Sequence, residues 1–180
     1  MVSPAEPFRT YGELVCYLRR IYRTTTLFQL LSFSYLGNFT SKVMDDCIFC
    51  KIASGNLPAE IVFESDSIIA FLDINPLNYG HVLVVPKIHS QDFLDIPIEL
   101  LDELVHVTRK ITKAIVDSLQ PDGFNIFSNN GTAAGQSVFH FHFHVTPRYD
   151  TDNFKFIINL KKYKDGEMSD YAQRIRHQIN

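Results

Sequence analysis

The chain has 180 residues, room for one compact domain with a real core and some additional material. Hydrophobic residues make up 46% and charged residues 21%, which excludes a disordered chain, and a formal net charge of -3 removes any electrostatic reason to expect a nucleic-acid polymer as partner. Three cysteines are too few and too unevenly placed for a secreted disulfide framework, so an intracellular, cytoplasmic setting is expected.

Residues 1–43 read as an N-terminal extension. They carry Arg9, Arg19, Arg20, Arg23 and Lys42 against only Glu6 and Glu13, and they are rich in Ser and Thr. That is the flavour of a mitochondrial transit peptide. Met44, just before Asp45-Asp46-Cys47, gives the competing explanation, an upstream start codon. The apolar run 27–36 is broken by Gln29, Ser32 and Ser34 and falls short of the roughly 20 residues a bilayer span takes, so no membrane association is expected. The folded domain is expected over 44–180, with a C-terminal tail from about residue 150.

Strand signals dominate after residue 44. The β-branched and aromatic runs 61–64 and 67–73, joined through Ser65-Asp66, predict a hairpin. The segment from Asn75 to Gly80 predicts a turn-rich loop, and 81–85 a strand buried on both faces and stopped by Pro86. Ile98, Leu101, Val105, Thr108, Ile111, Ile115 and Leu119 recur at helical steps, predicting one long helix with Pro97 near its first turn and 120–123 as its end. Strands are predicted over 124–129 and 137–146 around the glycine-containing loop 130–136. A short helix is predicted from Ser169, with Tyr171, Ile175 and Ile179 on one side. Strands clustered around one helix predict an α+β fold with a mainly antiparallel sheet.

The chemistry is concentrated in 138–146. Period-two alternation puts Phe139, Phe141, Phe143 and Val145 on one face and His140, His142 and His144 on the other. The aromatic face calls for a core and the histidine face for something polar. Alternate strand residues lie about 6.7 Å apart, so two neighbouring imidazoles could share an ion but one ion could not easily collect all three. Cys47-x-x-Cys50 supplies two thiols at a spacing suited to tetrahedral metal, although the same pair also suits a redox site or simple burial.

The run His140-Phe141-His142-Phe143-His144-Val145-Thr146 resembles the His-φ-His-φ-His-φ-φ signature of the histidine triad family, with Thr146 a polar residue at the last apolar position. The resemblance extends over residues 45–149, through Cys47–Ile52, Phe71–Pro76, Gly80–Lys87 and Gly135–Val138, and lies nearest the nucleotide-binding phosphoramidases of the bacterial type. It implies a five-stranded antiparallel sheet, pairing in a homodimer as a ten-stranded sheet. It also implies a purine nucleotide substrate such as an AMP conjugate. Diadenosine polyphosphate hydrolysis, an interaction protein with vestigial activity, and a metal-dependent hydrolase are the alternatives.

In the family the middle histidine attacks the α-phosphorus, which assigns that role to His142, an imidazole being a fair nucleophile near neutral pH. A backbone carbonyl near His140 would fix its tautomer, His144 would bind a non-bridging phosphate oxygen, Ser137 would help the leaving group depart, and His81 would lie beside the phosphate. Gln136 and the backbone around Gly135 would line the phosphate pocket, with Asn129 near phosphate or ribose. Asp73 would accept from the ribose hydroxyls. Ile48, Phe49, Ile52, Phe71 and Ile74 would wall the base, or serve as core. Family members with the early cysteine pair bind zinc through it and two histidines, implying a closed structural site of Cys47, Cys50, His89 and His140.

Overall fold

The computed structural model describes residues 46–155 and 159–179, which fall into two units divided after Asp150. The two readings of residues 1–43 lie outside the described residues. Within the first unit the order is α1 (Ile48–Ala53), β1 (Ile61–Glu64), β2 (Ile68–Leu72), β3 (Val82–Pro86), α2 (Ile98–Leu119), β4 (Gly123–Phe127), a 3-10 turn (Thr132–Ala134) and β5 (Phe143–Arg148). The strands form one antiparallel sheet in the order β1-β2-β3-β5-β4. The predicted hairpin is present, with Ser65 N–H donating to the Ile68 carbonyl and a bulge between Ile61 and Phe63.

The two faces of the sheet are covered differently. On one, Ile68, Ala70, Val82, Val84, Phe141 and Val145 pack with Leu104, Val107, Ile111 and Ile115 of α2. On the other, Ile69, Phe71, Leu83 and Val85 pack with Phe49 and Ile52 of α1. Alternate strand residues point to opposite faces, so His81, His144 and Thr146 share the α1 face. β3 is buried throughout, as its unbroken apolar run predicts.

α2 has the predicted bounds, but its buried stripe differs from the sequence expectation. Leu104, Val107, Thr108, Ile111, Thr112 and Ile115 face the sheet, whereas Ile98, Val105 and Leu119 are exposed. The apolar residues span more than one face, and the contact with the sheet selects the row through Leu104 and Thr108. The two buried threonine hydroxyls donate back to the Leu104 and Thr108 carbonyls, so they cost no lost hydrogen bond. Gln120 closes the helix in the left-handed conformation at φ 49°.

The predicted strand 137–146 is shorter than expected. β5 begins only at Phe143, because the Phe141 N–H donates to the Ser90 carbonyl at 2.6 Å instead of joining the ladder. Phe139 consequently leaves the core and is 43% exposed, against the aromatic-face expectation. In the second unit, α3 (Glu167–Ile179) starts two residues before Ser169. There the Glu167 carboxylate accepts from the Lys164 N–H and the Asp170 N–H donates to the Gly166 carbonyl. Among the described residues no helix is long and apolar enough to cross a membrane.

Candidate active site and metal centre

The three histidines 140, 142 and 144 leave the backbone toward different partners, although their sequence spacing is uniform. His140 is fully buried; its Nε2 donates to the Pro86 carbonyl at 2.8 Å, since a carbonyl can only accept. Its bare Nδ1 lies 3.4 Å from the Cys47 Sγ and 3.5 Å from the Cys50 Sγ. His89 approaches from the loop after β3, with Nδ1 3.4 Å from the Cys50 Sγ. The cysteines reach the same point because Cys47 caps α1 and Cys50 lies one turn on, three residues apart on one side.

These four residues could hold a metal ion. A tetrahedral ion with sulfur ligands at about 2.3 Å and nitrogen ligands at about 2.0 Å spaces S and N by about 3.5 Å, the separations seen here. A histidine ligand whose second nitrogen is anchored on a backbone carbonyl is also what such sites require. Burial pushes the Cys47 thiol up, but the neighbouring His140 and His89 rings outweigh it and bring it down to about 5. Cys50 is pushed up to about 12 by burial and by the neighbouring Cys47 charge.

His142 turns the other way. Its Nδ1 donates to the His140 carbonyl at 2.6 Å, so Nε2 keeps its lone pair. Burial holds its pKa below the ordinary histidine value, keeping the ring neutral near pH 7. The Phe49 ring packs edge-on against it at 5.0 Å between centroids. His144 lies 4.7 Å from His142 by the same measure, and its Nδ1 is 2.9 Å from His81 Nε2. Burial, then the His142 and His81 rings, push His144 down to about 3, and burial also lowers His81. Asp73 completes the cluster, with Oδ2 3.4 Å from His81 Nδ1.

The other expected residues divide. Gly135 has φ 85°, a backbone conformation that favours glycine, in the loop leading to the histidines. Ser137 is exposed, and the Asn129 amide donates to the Gly135 carbonyl at 3.4 Å. Gln136 is buried with its amide committed to the loop: its Oε1 accepts from Gly131, and its Nε2 donates to Gln91 and Val138. Ile52 and Phe71 belong to the apolar core under α1, while Ile48 is half-exposed and Ile74 is 90% exposed, away from the packed cluster. Phe127 was not anticipated: its ring stacks on His144 at 4.6 Å and 10°. Its register position opposite His144 puts the two on the same face of the sheet.

The HIT domain family model matches residues 54–151. The chain is 46% identical to Protein hit of Bacillus subtilis over 138 residues, 75% of this chain and 95% of that protein. It is 34% identical to adenylylsulfatase HINT3 of Arabidopsis thaliana over 143 residues, 78% of this chain and 73% of that one. Among solved structures, a zinc-bound histidine triad family protein from Mycobacterium smegmatis superposes with a TM-score of 0.60 at 36% identity, covering 76% of this chain and 99% of that one.

Proposed function

The chain belongs to the histidine triad family, and on that premise we propose that it hydrolyses or transfers purine nucleotides from AMP conjugates, phosphoramidates first among them, through a covalent intermediate on His142. One observation carries the reading: the His140 carbonyl accepts a hydrogen bond from the His142 Nδ1–H at 2.6 Å, so the neutral ring has a free Nε2 lone pair. That is an activated nucleophile with its tautomer fixed.

Nε2 of His142 attacks the α-phosphorus, a P–N bond forms, and the bond from phosphorus to the leaving group breaks. The leaving amine takes that electron pair and the proton of the Ser137 hydroxyl. Water then attacks phosphorus and returns a proton to Ser137, the P–N bond to His142 breaks, and AMP departs. His144 binds a non-bridging oxygen with the backbone near Gly135 and Gln136, while His81 and Asn129 border the phosphate. Asp73 accepts from the ribose hydroxyls, and Phe49, Phe71, Ile48, Ile52 and Ile74 form the apolar side toward the base. The adenylylsulfatase relative favours adenylyl sulfate as a second substrate, because the same attack expels sulfate instead of an amine.

Cys47, Cys50, His89 and His140 would hold zinc, which in a closed four-ligand site supplies a cross-link in the fold. A homodimer joined through the edge strand β4, where Phe124 and Ile126 are exposed, is part of the same reading. The deciding experiment measures AMP release from adenosine 5′-phosphoramidate by wild type and His142→Ala. Turnover by the wild type alone supports the reading; a folded, AMP-binding wild type without turnover overturns it.

A further inference from the structure

A backbone N–H can only donate. The Leu77 N–H lies 3.2 Å from His81 Nδ1, so that nitrogen is bare and the single proton of the neutral ring sits on Nε2. His81 Nε2 faces His144 Nδ1 at 2.9 Å and donates to it. His144 Nδ1 is therefore the acceptor, and the proton of His144 is on Nε2. The low pKa of both rings supports the single-proton count.

We propose that His81 is a positioning residue that fixes the proton of His144 on Nε2, so that His144 meets an anionic phosphate oxygen as a hydrogen-bond donor. The opposite tautomer would turn a lone pair toward that oxygen. Ring orientation is held as well: Phe127 stacks on one face of His144 at 4.6 Å, and the His142 ring lies 4.7 Å away. Turning the ring over would put Cδ2 in the place of Nδ1 and lose the hydrogen bond with His81.

Two other groups bear on the chain. The Asp73 carboxylate, 3.4 Å from His81 Nδ1, pulls a proton toward that nitrogen, but the hydrogen bond made at Nδ1 is the one from the Leu77 N–H. Asp73 is itself held by the Asn75 N–H at 2.9 Å. Asp73, His81 and His144 are close enough to be considered metal ligands. Asp73, however, faces Nδ1 of His81 and His144 faces Nε2, an arrangement of a hydrogen-bonded chain and not of a chelate.

The phosphate role of His144 rests on the function proposed above, whereas the tautomer can be read in the free protein. Long-range ¹H–¹⁵N spectra of the full chain, labelled at histidine, distinguish protonated from bare ring nitrogens near pH 7. The expected result is Nε2–H on both His81 and His144. His81→Gln keeps an N–H donor and should keep the His144 tautomer. His81→Leu should give a tautomer mixture and lower kcat about tenfold with KM nearly unchanged, and Gln should recover most of that loss. A wild-type His144 proton on Nδ1, or an unchanged His144 in His81→Leu, overturns the proposal. Should His81→Leu not fold, the wild-type tautomer pair decides alone. The expected tautomers in a protein without turnover would uphold this inference and sink only the function.

Discussion

The two faces of the sheet are built from alternate residues of the same strands, yet they obey different rules. Under α2 the contacts are apolar and shared among many side chains, so each residue is backed by its neighbours. Under α1 the apolar cluster is smaller, and beside it His140, His142, His144 and His81 each have specific hydrogen-bond partners. The first face supplies stability in amounts that scale with volume. The second supplies proton positions, which a single atom decides. Function is therefore fragile where stability is not.

Substitutions on the two faces should separate cleanly. The largest effect is expected for His142→Ala, which removes the lone pair: AMP release should fall on the order of a thousandfold or more with the melting temperature little changed. Leu104→Ala should do the reverse. Loss of a fully buried leucine from the α2 face costs about 2–5 kcal/mol, seen in urea unfolding, while kcat of the protein still folded stays near wild type. A large loss of kcat in Leu104→Ala would break the distinction.

Acid probes the α1 face alone. His144 is lowered to about 3 and His81 is lowered too, so the unfolded chain binds more protons than the folded one below the ordinary histidine value near 6.5. Their contribution is complete above that value and is lost as pH falls toward 3. The urea midpoint should drop between pH 7.5 and 5, and the drop should be shallower in His144→Asn. Equal slopes for the two proteins would remove His144 as a source.

How much of this was legible depends on how local the cause is. The alternation of phenylalanine and histidine, the cysteine spacing and the buried run of β3 are properties of neighbours in sequence, and they pointed to a mainly antiparallel sheet and to the segments of His140–His144 and Cys47–Cys50; His81, His89 and Asp73 came only with the family resemblance. The early exit of Phe139–His142 from the strand is not, because it depends on the Ser90 and Pro86 carbonyls, some fifty residues away. The commitment of the Gln136 amide to Gln91 is likewise set by folding. Thr146 was visible only as an odd residue in an apolar position. In the structure its hydroxyl is the one buried side-chain polar atom without a partner among the described residues. The smallest expected effect follows from it: Thr146→Val should stabilise the protein by about 1 kcal/mol in the same urea assay. A destabilised variant would instead mean that the hydroxyl is satisfied in solution.

Gly80 precedes His81 at φ 85°, and an added β-carbon there would press on the outer end of the exposed Leu119 side chain of α2, which can swing aside. The join between the loop carrying His81 and the last turn of the helix thus depends on a backbone conformation that favours glycine, the Leu119 side chain being able to yield. For an engineer this is a graded control point: alanine at that position strains the join without touching a single side chain of either cluster, a route to a heat-sensitive form whose chemistry is intact at low temperature.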